Sequence, residues 1–237
     1  MTAVAKTLDI IFPPQCLICR TRVMEHGTLC TGCWGEIKFI ATPYCSCCGL
    51  PFEYAMGDDA LCGECIANRP VYSRCRSAFC YDEHSSKLVT ALKFSDQMHL
   101  AVIYGKWLAK AGKEIIHRSD AIVPVPLHWR RFVKRRYNQS ALLARSLARH
   151  TGLPVLEDGL QRVKHTPPQT GLSREQRLKN LQGAIVIHRK HAESFKGKSV
   201  LLIDDVLTTG STINQCSKVL LRGGVSTVNV LTLARRV

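Results

Sequence analysis

The chain of 237 residues is 46% hydrophobic and 22% charged, a composition typical of folded globular proteins and not of disordered ones. Its 33 Lys and Arg against 18 Asp and Glu give a formal net charge of +15, which favours polyanionic partners such as nucleic acid or a substrate with several phosphates. Because its uncharged runs are too short for a transmembrane helix and residues 1–15 lack the apolar core of a secretory signal, we expect a cytoplasmic protein with no transmembrane segment.

Cysteines are concentrated in the first third of the chain, where eleven of the twelve precede residue 81. Eight of them form four Cys-x-x-Cys pairs, and each pair places two thiolates on one tight turn that can hold a tetrahedral zinc ion. Grouped cysteines in a chain without a secretory signal indicate metal binding in preference to disulfides. We expect two structural zinc ions, held by Cys16, Cys19, Cys30, Cys33, Cys45, Cys48, Cys62 and Cys65.

The order of the four pairs leaves two zinc arrangements open. Sequential pairing gives two zinc ribbons in a row, and a cross-braced arrangement fits the same spacing. A redox role is the alternative for a single Cys-x-x-Cys, but four pairs within fifty residues favour zinc. Because every ligand is a cysteine, no coordination position stays open for catalysis. Cys47, inside the third pair, is interpreted as a spare thiol.

Residues after about 76 alternate between strand and helix patterns. Apolar or β-branched runs predict strands at 77–81, 121–126, 184–188, 200–203 and 227–233. Helical spacing predicts helices at 84–94, 98–116, 137–150 and 211–222. Strands separated by helices of about ten residues or more predict a parallel sheet with helices on both faces. The expected organisation is a double zinc ribbon at 1–70, followed by an α/β domain at 71–237.

The strongest chemical motif is Val-Leu-Leu-Ile-Asp-Asp-Val-Leu-Thr-Thr-Gly-Ser-Thr at 200–212. A buried strand runs into two acids and then into a loop of small residues that opens a helix. In open α/β sheets ligands bind at the carboxyl ends of strands, and backbone N–H groups at a helix N-terminus bind phosphate. The paired acids are placed to hold sugar hydroxyls or a metal-bound sugar. An ordinary acidic helix cap is the alternative, and it explains one acid but not the whole pattern.

This motif resembles the phosphoribosyl pyrophosphate (PRPP) signature of type I phosphoribosyltransferases. The resemblance implies that Asp204 and Asp205 are the catalytic pair, which engages the ribose 2′- and 3′-hydroxyls. It also implies that Mg²⁺ bridges the pyrophosphate and ribose oxygens. The 5′-phosphate would be held by Thr208, Thr209, Gly210, Ser211 and Thr212.

Two basic segments are candidates for binding the pyrophosphate. Residues 128–156 hold seven Lys or Arg and no Asp or Glu, and they follow the predicted strand at 121–126. Pyrophosphate or nucleic-acid contacts are expected from Arg130, Arg131 and Arg136, although a solvated basic face is the alternative. Residues 166–180 suit a loop that closes over the substrate with Arg174 and Arg177, or only a surface helix.

The whole chain resembles the ComF family of bacterial competence and DNA-utilisation proteins. The likeness rests on the paired cysteines, Pro-Val-Pro-Leu at 124–127, Arg-Tyr-Asn-Gln at 136–139, Thr-Pro-x-Gln-x-x-Leu at 166–172 and the acidic motif. Arg136-Tyr137 stands where the family often has Gly-Phe. The family pattern also implies a ligand contact for Lys93, for which a helix-end cation is the alternative. The resemblance implies a role in natural transformation or in the handling of imported single-stranded DNA.

Two functions follow from these features. The first is a Mg²⁺-dependent phosphoribosyltransferase that binds PRPP and transfers phosphoribose to an acceptor which the sequence does not identify. The alternative is a non-catalytic zinc-ribbon protein that binds single-stranded DNA, with DNA or the DNA-uptake machinery as its partner. Aromatic residues make up only 7% of the chain, and no aromatic-rich segment for base stacking is evident, which counts against the alternative.

Overall fold

The computed structural model describes residues 13–92, 100–127, 137–163 and 183–237. A four-stranded parallel sheet lies at the centre of this part, with the strands in the order β1–β6–β5–β2. A separate two-stranded antiparallel sheet joins β3 and β4. The strands are β1 (Arg74–Cys80), β2 (Ala121–Pro124), β3 (Leu160–Arg162), β4 (Ile185–Ile187), β5 (Ser199–Leu207) and β6 (Thr227–Arg235).

Of the described helices, two short ones lie in the cysteine-rich segment before β1, and the other five follow β1 in the α/β part of the chain. They are α1 (Thr31–Glu36), α2 (Gly63–Ala67), α3 (Glu83–Ala91), α4 (Leu100–Ala111), α5 (Lys113–Ile116), α6 (Gln139–Thr151) and α7 (Ser211–Arg222). Two short 3₁₀ turns, Arg189–His191 and Glu193–Phe195, precede β5. No helix in the described ranges combines the length and the apolar character needed to cross a membrane.

The buried strand β5 divides the core into two layers. Successive strand side chains point to opposite faces, so Leu201 and Ile203 pack in one cluster with α3, α4 and α6. Val200 and Leu202 pack in the other cluster, together with α7 and the second group of cysteines. This two-sided burial explains why the strand is a continuous apolar run, and it confirms the predicted parallel sheet covered on both faces.

Two predicted elements differ from the observed ones. The predicted strand at 184–188 exists as β4, but its expected place in the parallel sheet is wrong, because it pairs antiparallel with β3. The helix predicted over 98–116 divides at Gly112 into α4 and α5. A Cβ at Gly112 would lie 2.7 Å from a methyl carbon of Leu231, so only glycine allows this close approach to β6.

The zinc-ribbon module contacts the sheet directly. The backbone N–H of Cys75 on β1 donates to the carbonyl of Cys47 over 2.7 Å. Gly49, at φ +70°, brings its Cα so close that a Cβ would lie 2.6 Å from the Cys75 carbonyl oxygen. The second cysteine group is therefore part of the folded core of the α/β domain. The division of the chain at residue 70 stays a prediction.

Candidate functional site

The eight paired cysteines form two groups in sequential order. One comprises Cys16, Cys19, Cys30 and Cys33, and the other comprises Cys45, Cys48, Cys62 and Cys65. Within each group the four Sγ atoms lie within 4.8 Å of one another. Of the two arrangements left open by the spacing, the structure has the two successive ribbons and not the cross-braced form. Cys47 is buried and belongs to neither group, as expected.

Both groups fit a tetrahedral zinc ion. With Zn–S bonds of about 2.3 Å, the sulfurs of such a site lie about 3.8 Å apart, and the Cys19–Cys30 and Cys48–Cys62 Sγ atoms are 3.6 Å apart. Burial alone would raise the pKa of the Cys45 thiol. Hydrogen bonds from the backbone N–H groups of Cys48 and Cys62 have the larger combined effect, and the pKa is lowered to about 7. The Thr21 hydroxyl lowers the pKa of Cys19 to about 6. These are two Cys₄ structural zinc sites.

The second zinc site is enclosed by buried guanidinium groups. Arg235, only 8% exposed, donates from Nη1 to the carbonyl of Cys48. Arg76 donates to the carbonyl of Ser46 over 3.1 Å and stacks 4.5 Å from the Tyr44 ring centroid. The first site is more open, because Cys19 is exposed and Cys30 is half-buried.

An open cleft of about 440 Å³ runs along the carboxyl edge of the parallel sheet. All four strands of that sheet contribute a lining residue at or near the carboxyl end: Tyr81 after β1, Val125 after β2, Asp204 in the second half of β5 and Arg236 after β6. The complete described lining comprises Tyr81, Val89, Val125, Pro126, Leu127, Asn138, Gln139, Ser140, Arg162, Asp204, Asp205, Val206, Thr208, Thr212 and Arg236. The strongest sequence motif therefore faces an open cleft at the edge of the sheet where ligands bind in such folds.

The acid pair is held at the floor of this cleft by hydrogen bonds. Ser140 Oγ donates to Asp204 Oδ1 over 3.0 Å, and the Asp205 N–H donates to the same oxygen over 2.9 Å. The Val206 N–H donates to Asp205 Oδ1 over 2.7 Å. Both acids are half-buried. Their carboxylates are thus fixed before any ligand arrives, which suits a preorganised site.

Asp204 is difficult to ionise in the ligand-free protein. Burial is the main cause that raises its pKa, and the neighbouring Asp205 charge adds to it, bringing the pKa to about 8. Hydrogen bonds from the Asp205 N–H and Ser140 act in the opposite direction. Such a carboxyl, desolvated and beside a like charge, is typical of sites that bind a cation or a polar ligand.

The raised pKa predicts that Asp204 destabilises the ligand-free fold at neutral pH. Between 3.8, the ordinary value for the aspartate, and about 8, the folded value, the unfolded state binds fewer protons at this position than the folded state. The free energy of unfolding therefore falls as the pH rises through this window. Asp204→Asn removes the effect while keeping the size of the side chain and an oxygen acceptor for Ser140.

Thermal unfolding at pH 6, 7 and 8 checks this expectation. Asp204→Asn should melt at a higher temperature than the wild type, and the difference in melting temperature should be larger at pH 8 than at pH 6. Each kcal/mol of added stability raises the melting temperature by roughly 2–4 °C. The exposed Asp59→Asn serves as control and should show no gap that widens with pH. A gap of the same size at all three pH values would contradict the raised pKa.

The loop after the acids has the geometry of an anion cradle. Gly210 has φ +69° and precedes the first turn of α7, whose N-terminus receives no side-chain cap. Thr208 and Thr209 are exposed, and Thr209 Oγ1 lies 3.0 Å from Ser211 Oγ. The first turn of α7 holds no acidic residue, so its N–H groups and helix dipole are available to an anion. The assignment of this loop to a 5′-phosphate stays a prediction.

A second, smaller cavity of about 120 Å³ lies between the second zinc site and the loop from Thr208 to Thr212, which we call the phosphate loop after its predicted ligand. Its lining includes Cys48, Cys62 and Cys65 from the zinc site and Thr209 and Gly210 from the loop. Next to it, Asn214 Oδ1 in the first turn of α7 accepts the Val71 N–H over 3.3 Å. The second zinc site and the loop therefore face each other across this cavity.

The structure adds cleft residues that sequence reasoning missed. Ser140 lies in the first turn of α6, which Asn138 caps by accepting the Ser140 N–H (3.1 Å), and Asn138 donates to the Val125 carbonyl (3.0 Å). Arg162 and Arg236 add cations to the lining. The Asn-Gln-Ser segment before an apolar helix was a detectable cap signal, whereas nothing in the sequence marked the two arginines.

Six predicted cations lie outside the described residues. They are Lys93, Arg130, Arg131, Arg136, Arg174 and Arg177. Their assignment to pyrophosphate, nucleic acid or a closing loop stays a prediction. Leu127, the last described residue before the gap at 128–136, and Asn138, just after it, both line the cleft.

Aromatic rings from distant parts of the sequence meet at one surface. Trp34 and Phe39 of the first ribbon lie 4.8 Å apart between centroids, and Trp107 of α4 lies 6.1 Å and 5.4 Å from them. Trp34 is 51% exposed and Phe39 is 37% exposed. We call these three rings the aromatic surface cluster. The rings come from separate segments of the sequence, so no single segment encodes this cluster.

Comparison with known proteins identifies both modules. The double zinc ribbon domain family matches residues 7–66, and the phosphoribosyl transferase domain family matches residues 138–237. Among solved structures, orotate phosphoribosyltransferase from Aeropyrum pernix is similar at 20% identity and a TM-score of 0.35, over 67% of this chain and 68% of that one.

Proteins of similar length match nearly the whole chain. Competence protein F of Haemophilus influenzae is 36% identical, covering 93% of this chain and 96% of that protein. DNA utilization protein YhgH of Salmonella typhimurium is 33% identical, with coverages of 94% and 97%. Competence protein ComFC of Bacillus subtilis is 25% identical, with coverages of 93% and 94%. With this identity sustained through both the double zinc ribbon and the parallel-sheet domain, the chain belongs to the ComF family of phosphoribosyltransferase-fold proteins.

Proposed function

We propose that this protein binds PRPP with Mg²⁺ in the carboxyl-edge cleft and transfers phosphoribose to an acceptor. The observation that carries the proposal is the juxtaposition of Asp204 and Asp205 with the uncapped N-terminus of α7 in one cleft. A sugar phosphate needs both features, because hydroxyls require acceptors and the phosphate requires N–H donors.

Different residues of the cleft bind different parts of PRPP. Asp204 and Asp205 accept hydrogen bonds from the ribose hydroxyls, and Ser140 keeps Asp204 in position. The loop from Thr208 to Thr212 binds the 5′-phosphate. Oxygen donors in a partly desolvated site are the ligands that Mg²⁺ prefers, so the two carboxylates fit this cation. When bound, Mg²⁺ would neutralise the charge that builds up on the departing pyrophosphate.

Calorimetric titration of the zinc-loaded protein with PRPP tests this proposal. Binding should require Mg²⁺, and ribose 5-phosphate should compete for the same site because it retains the phosphate and the two hydroxyls. Pyrophosphate release in the presence of candidate acceptors then tests transfer. Absence of PRPP binding in a folded, zinc-loaded sample would overturn the proposal.

A second candidate function is single-stranded DNA binding, and the aromatic surface cluster favours it. Exposed lysines flank the rings, with Lys38 next to Phe39 and Lys106 and Lys110 on the same helix as Trp107. Rings and cations together suit a strand whose bases stack and whose phosphates need neutralisation. The names of the competence and DNA-utilization relatives agree with a nucleic-acid partner.

Trp34→Ala tests this second function. Stacking on an aromatic ring contributes about 1–3 kcal/mol per base, so the affinity for oligo(dT) should fall about tenfold or more. Fluorescence anisotropy with labelled oligo(dT) measures the change. Tyr54→Ala, which removes a 77% exposed ring outside the cluster, is the matched control. Equal affinities of the two variants would exclude the cluster as the DNA platform.

A further inference from the structure

We propose that Cys19 and Cys30 are a site of reversible oxidation by peroxides, at which a disulfide forms, the first zinc ion is released and the aromatic surface cluster comes apart. The inference concerns the first ribbon and goes beyond the cleft and its ligands. It also gives the second candidate function a means of regulation, and only its effect on DNA binding rests on that function.

The two zinc sites differ in how far an oxidant can reach their sulfurs. Three ligands of the second site line the small cavity beside the phosphate loop, yet all four are at most 7% exposed. In the first site Cys16 and Cys33 are buried, whereas Cys19 is exposed and Cys30 is half-buried. The one other described cysteine that is not buried, Cys80, belongs to neither site. Because oxidation of cysteine follows exposure, a peroxide reacts first at the first ribbon.

The two accessible sulfurs are close enough to form a disulfide after a small movement. Cys19 Sγ and Cys30 Sγ lie 3.6 Å apart, and a disulfide bond is about 2.0 Å long, so the sulfurs must approach by about 1.5 Å. Cys19 lies in a turn and Cys30 lies just before α1, so neither is held inside a strand or a helix. Rotation of the two side chains together with a small shift of the turn can supply this approach.

The reaction is a two-electron oxidation with a peroxide as the oxidant. The Cys19 thiolate attacks one oxygen of hydrogen peroxide, the O–O bond breaks, and the departing hydroxide takes a proton from solvent and becomes water. The Cys30 thiolate then attacks the sulfur of the resulting sulfenic acid, and the S–O bond breaks. The second hydroxide also takes a proton from solvent. The two sulfurs lose two electrons, and hydrogen peroxide is reduced to two water molecules.

This disulfide removes two of the four ligands of the first zinc ion. Only Cys16 and Cys33 remain, because the thiolate is the form of cysteine that binds a metal and a disulfide sulfur is no longer a thiolate. Structural zinc sites need all four ligands, and they supply folding free energy to segments that have little core of their own. We therefore expect the first zinc ion to leave and the first ribbon to lose its fixed conformation.

Zinc release affects the aromatic surface cluster through α1. Cys30 is the N-cap of this six-residue helix, and its Sγ accepts the Cys33 N–H over 3.4 Å. The Cys30 carbonyl also accepts the Trp34 N–H over 2.8 Å. A helix this short is not stable without tertiary contacts. Once its zinc ligands are lost, α1 no longer holds the Trp34 ring against Trp107.

Treatment of the full zinc-loaded protein with hydrogen peroxide tests this site. A colorimetric dye follows zinc release, and mass spectrometry of alkylated, digested protein maps the disulfide. The first zinc ion should leave at least about tenfold faster than the second, because cysteine oxidation is site-selective, and a Cys19–Cys30 disulfide should form in step with it. Tryptophan fluorescence should shift to longer wavelength as Trp34 becomes solvated. Dithiothreitol with added zinc should reverse all three changes.

Matched variants identify the reacting thiols and the reporting ring. Cys19→His keeps a zinc ligand but has no thiol, so peroxide should release its first zinc ion at least about tenfold more slowly than in the wild type. Cys80→Ser removes the other thiol that is not buried and should behave as the wild type. Trp34→Phe should release zinc normally but lose most of the fluorescence shift.

Several results would overturn the inference. They are earlier release of the second zinc ion, a disulfide between other cysteines, release from Cys19→His at the wild-type rate, or an unchanged fluorescence spectrum after the first zinc ion has left. The mapped disulfide decides the matter in the wild-type protein alone, even if Cys19→His does not bind two zinc ions.

Oligo(dT) binding by the oxidised protein separates this inference from the second candidate function. The affinity should fall about tenfold or more when the stacking rings separate, and it should return after reduction in the presence of zinc. A Cys19–Cys30 disulfide with zinc release and a fluorescence shift, but with unchanged DNA affinity, would support the oxidation site and overturn the second candidate function.

Discussion

Replacing Asp204 and Asp205 together by asparagine should lower the affinity for PRPP by about 10²–10⁴-fold while the fold stays intact. A hydrogen bond to a charged group contributes roughly 1.5–3 kcal/mol, and two carboxylates that each hold a ribose hydroxyl lose that charge together. Asparagine is close in size, and Ser140 can still donate to an amide oxygen at position 204. The loss therefore reports on ligand contacts and not on packing.

The chain offers a matched control for this double substitution. Asp58 and Asp59 are also adjacent acids, but both are exposed on the second ribbon and neither lines the cleft. Asp58→Asn with Asp59→Asn makes the same pair of substitutions and should leave PRPP affinity within about twofold of the wild type, a change below about 0.4 kcal/mol. Calorimetry of the three proteins in parallel gives the comparison.

Binding of single-stranded DNA separates the two functions in the same samples. Neutralisation of DNA phosphates depends on Lys and Arg and gives a characteristic salt dependence. The Asp204→Asn/Asp205→Asn protein should therefore keep both its DNA affinity and its salt dependence. A parallel loss of PRPP and DNA binding would mean that the acids support the fold of a shared surface, against their assignment to the ribose.

The sheet is predictable from the sequence because strands that are buried on both faces are rich in apolar residues. β5 and β6 are buried on both faces, and both are rich in apolar residues. Residues 200–203 of β5 form a continuous apolar run, and β6 has only Asn229 and Thr232 as polar residues between its ends. The same reasoning fails for β4, whose three residues lie on a small antiparallel sheet. A short apolar run predicts a strand but not its partner, because the partner depends on contacts between distant segments.

The candidate site is predictable only where one segment encodes it. The acids and the phosphate loop are contiguous, so a single motif reveals them. Ser140, Tyr81 and Arg236 belong to three different segments, and only the parallel order of the strands brings them to one edge. The aromatic surface cluster has the same origin, since ring contacts join positions 34 and 107 through the packing of the first ribbon on α4.

Loss of the second zinc site should have a far larger effect than loss of the first. Structural zinc contributes roughly 10–16 kcal/mol to the folding of small zinc modules, and the second site is also part of the core cluster under β5. We expect Cys62→Ser to abolish the cooperative folding transition and PRPP binding. Cys19→Ser, at the exposed edge of the first site, should release one zinc ion but leave PRPP binding within about threefold, or about 0.7 kcal/mol.

The physical reason is the buried charge around the second site. A zinc ion with four thiolates has a net formal charge of about −2, and it lies beside the guanidinium of Arg235, which is buried and forms no ion pair with a carboxylate among the described residues. Without the zinc–thiolate cluster this cation has no anionic partner in a desolvated position, a strongly unfavourable arrangement. The cavity that the second zinc site shares with the phosphate loop would lose one of its walls at the same time.

Stepwise zinc removal makes this prediction testable even if Cys62→Ser does not fold. Titration of the wild-type protein with a chelator, with zinc release followed by a colorimetric dye, should show two phases for two zinc ions. PRPP affinity and the circular dichroism of the sheet should persist through the first phase and be lost in the second. In Cys19→Ser only the second phase should remain. Loss of PRPP binding in the first phase would instead contradict the prediction that the second zinc site has the larger effect.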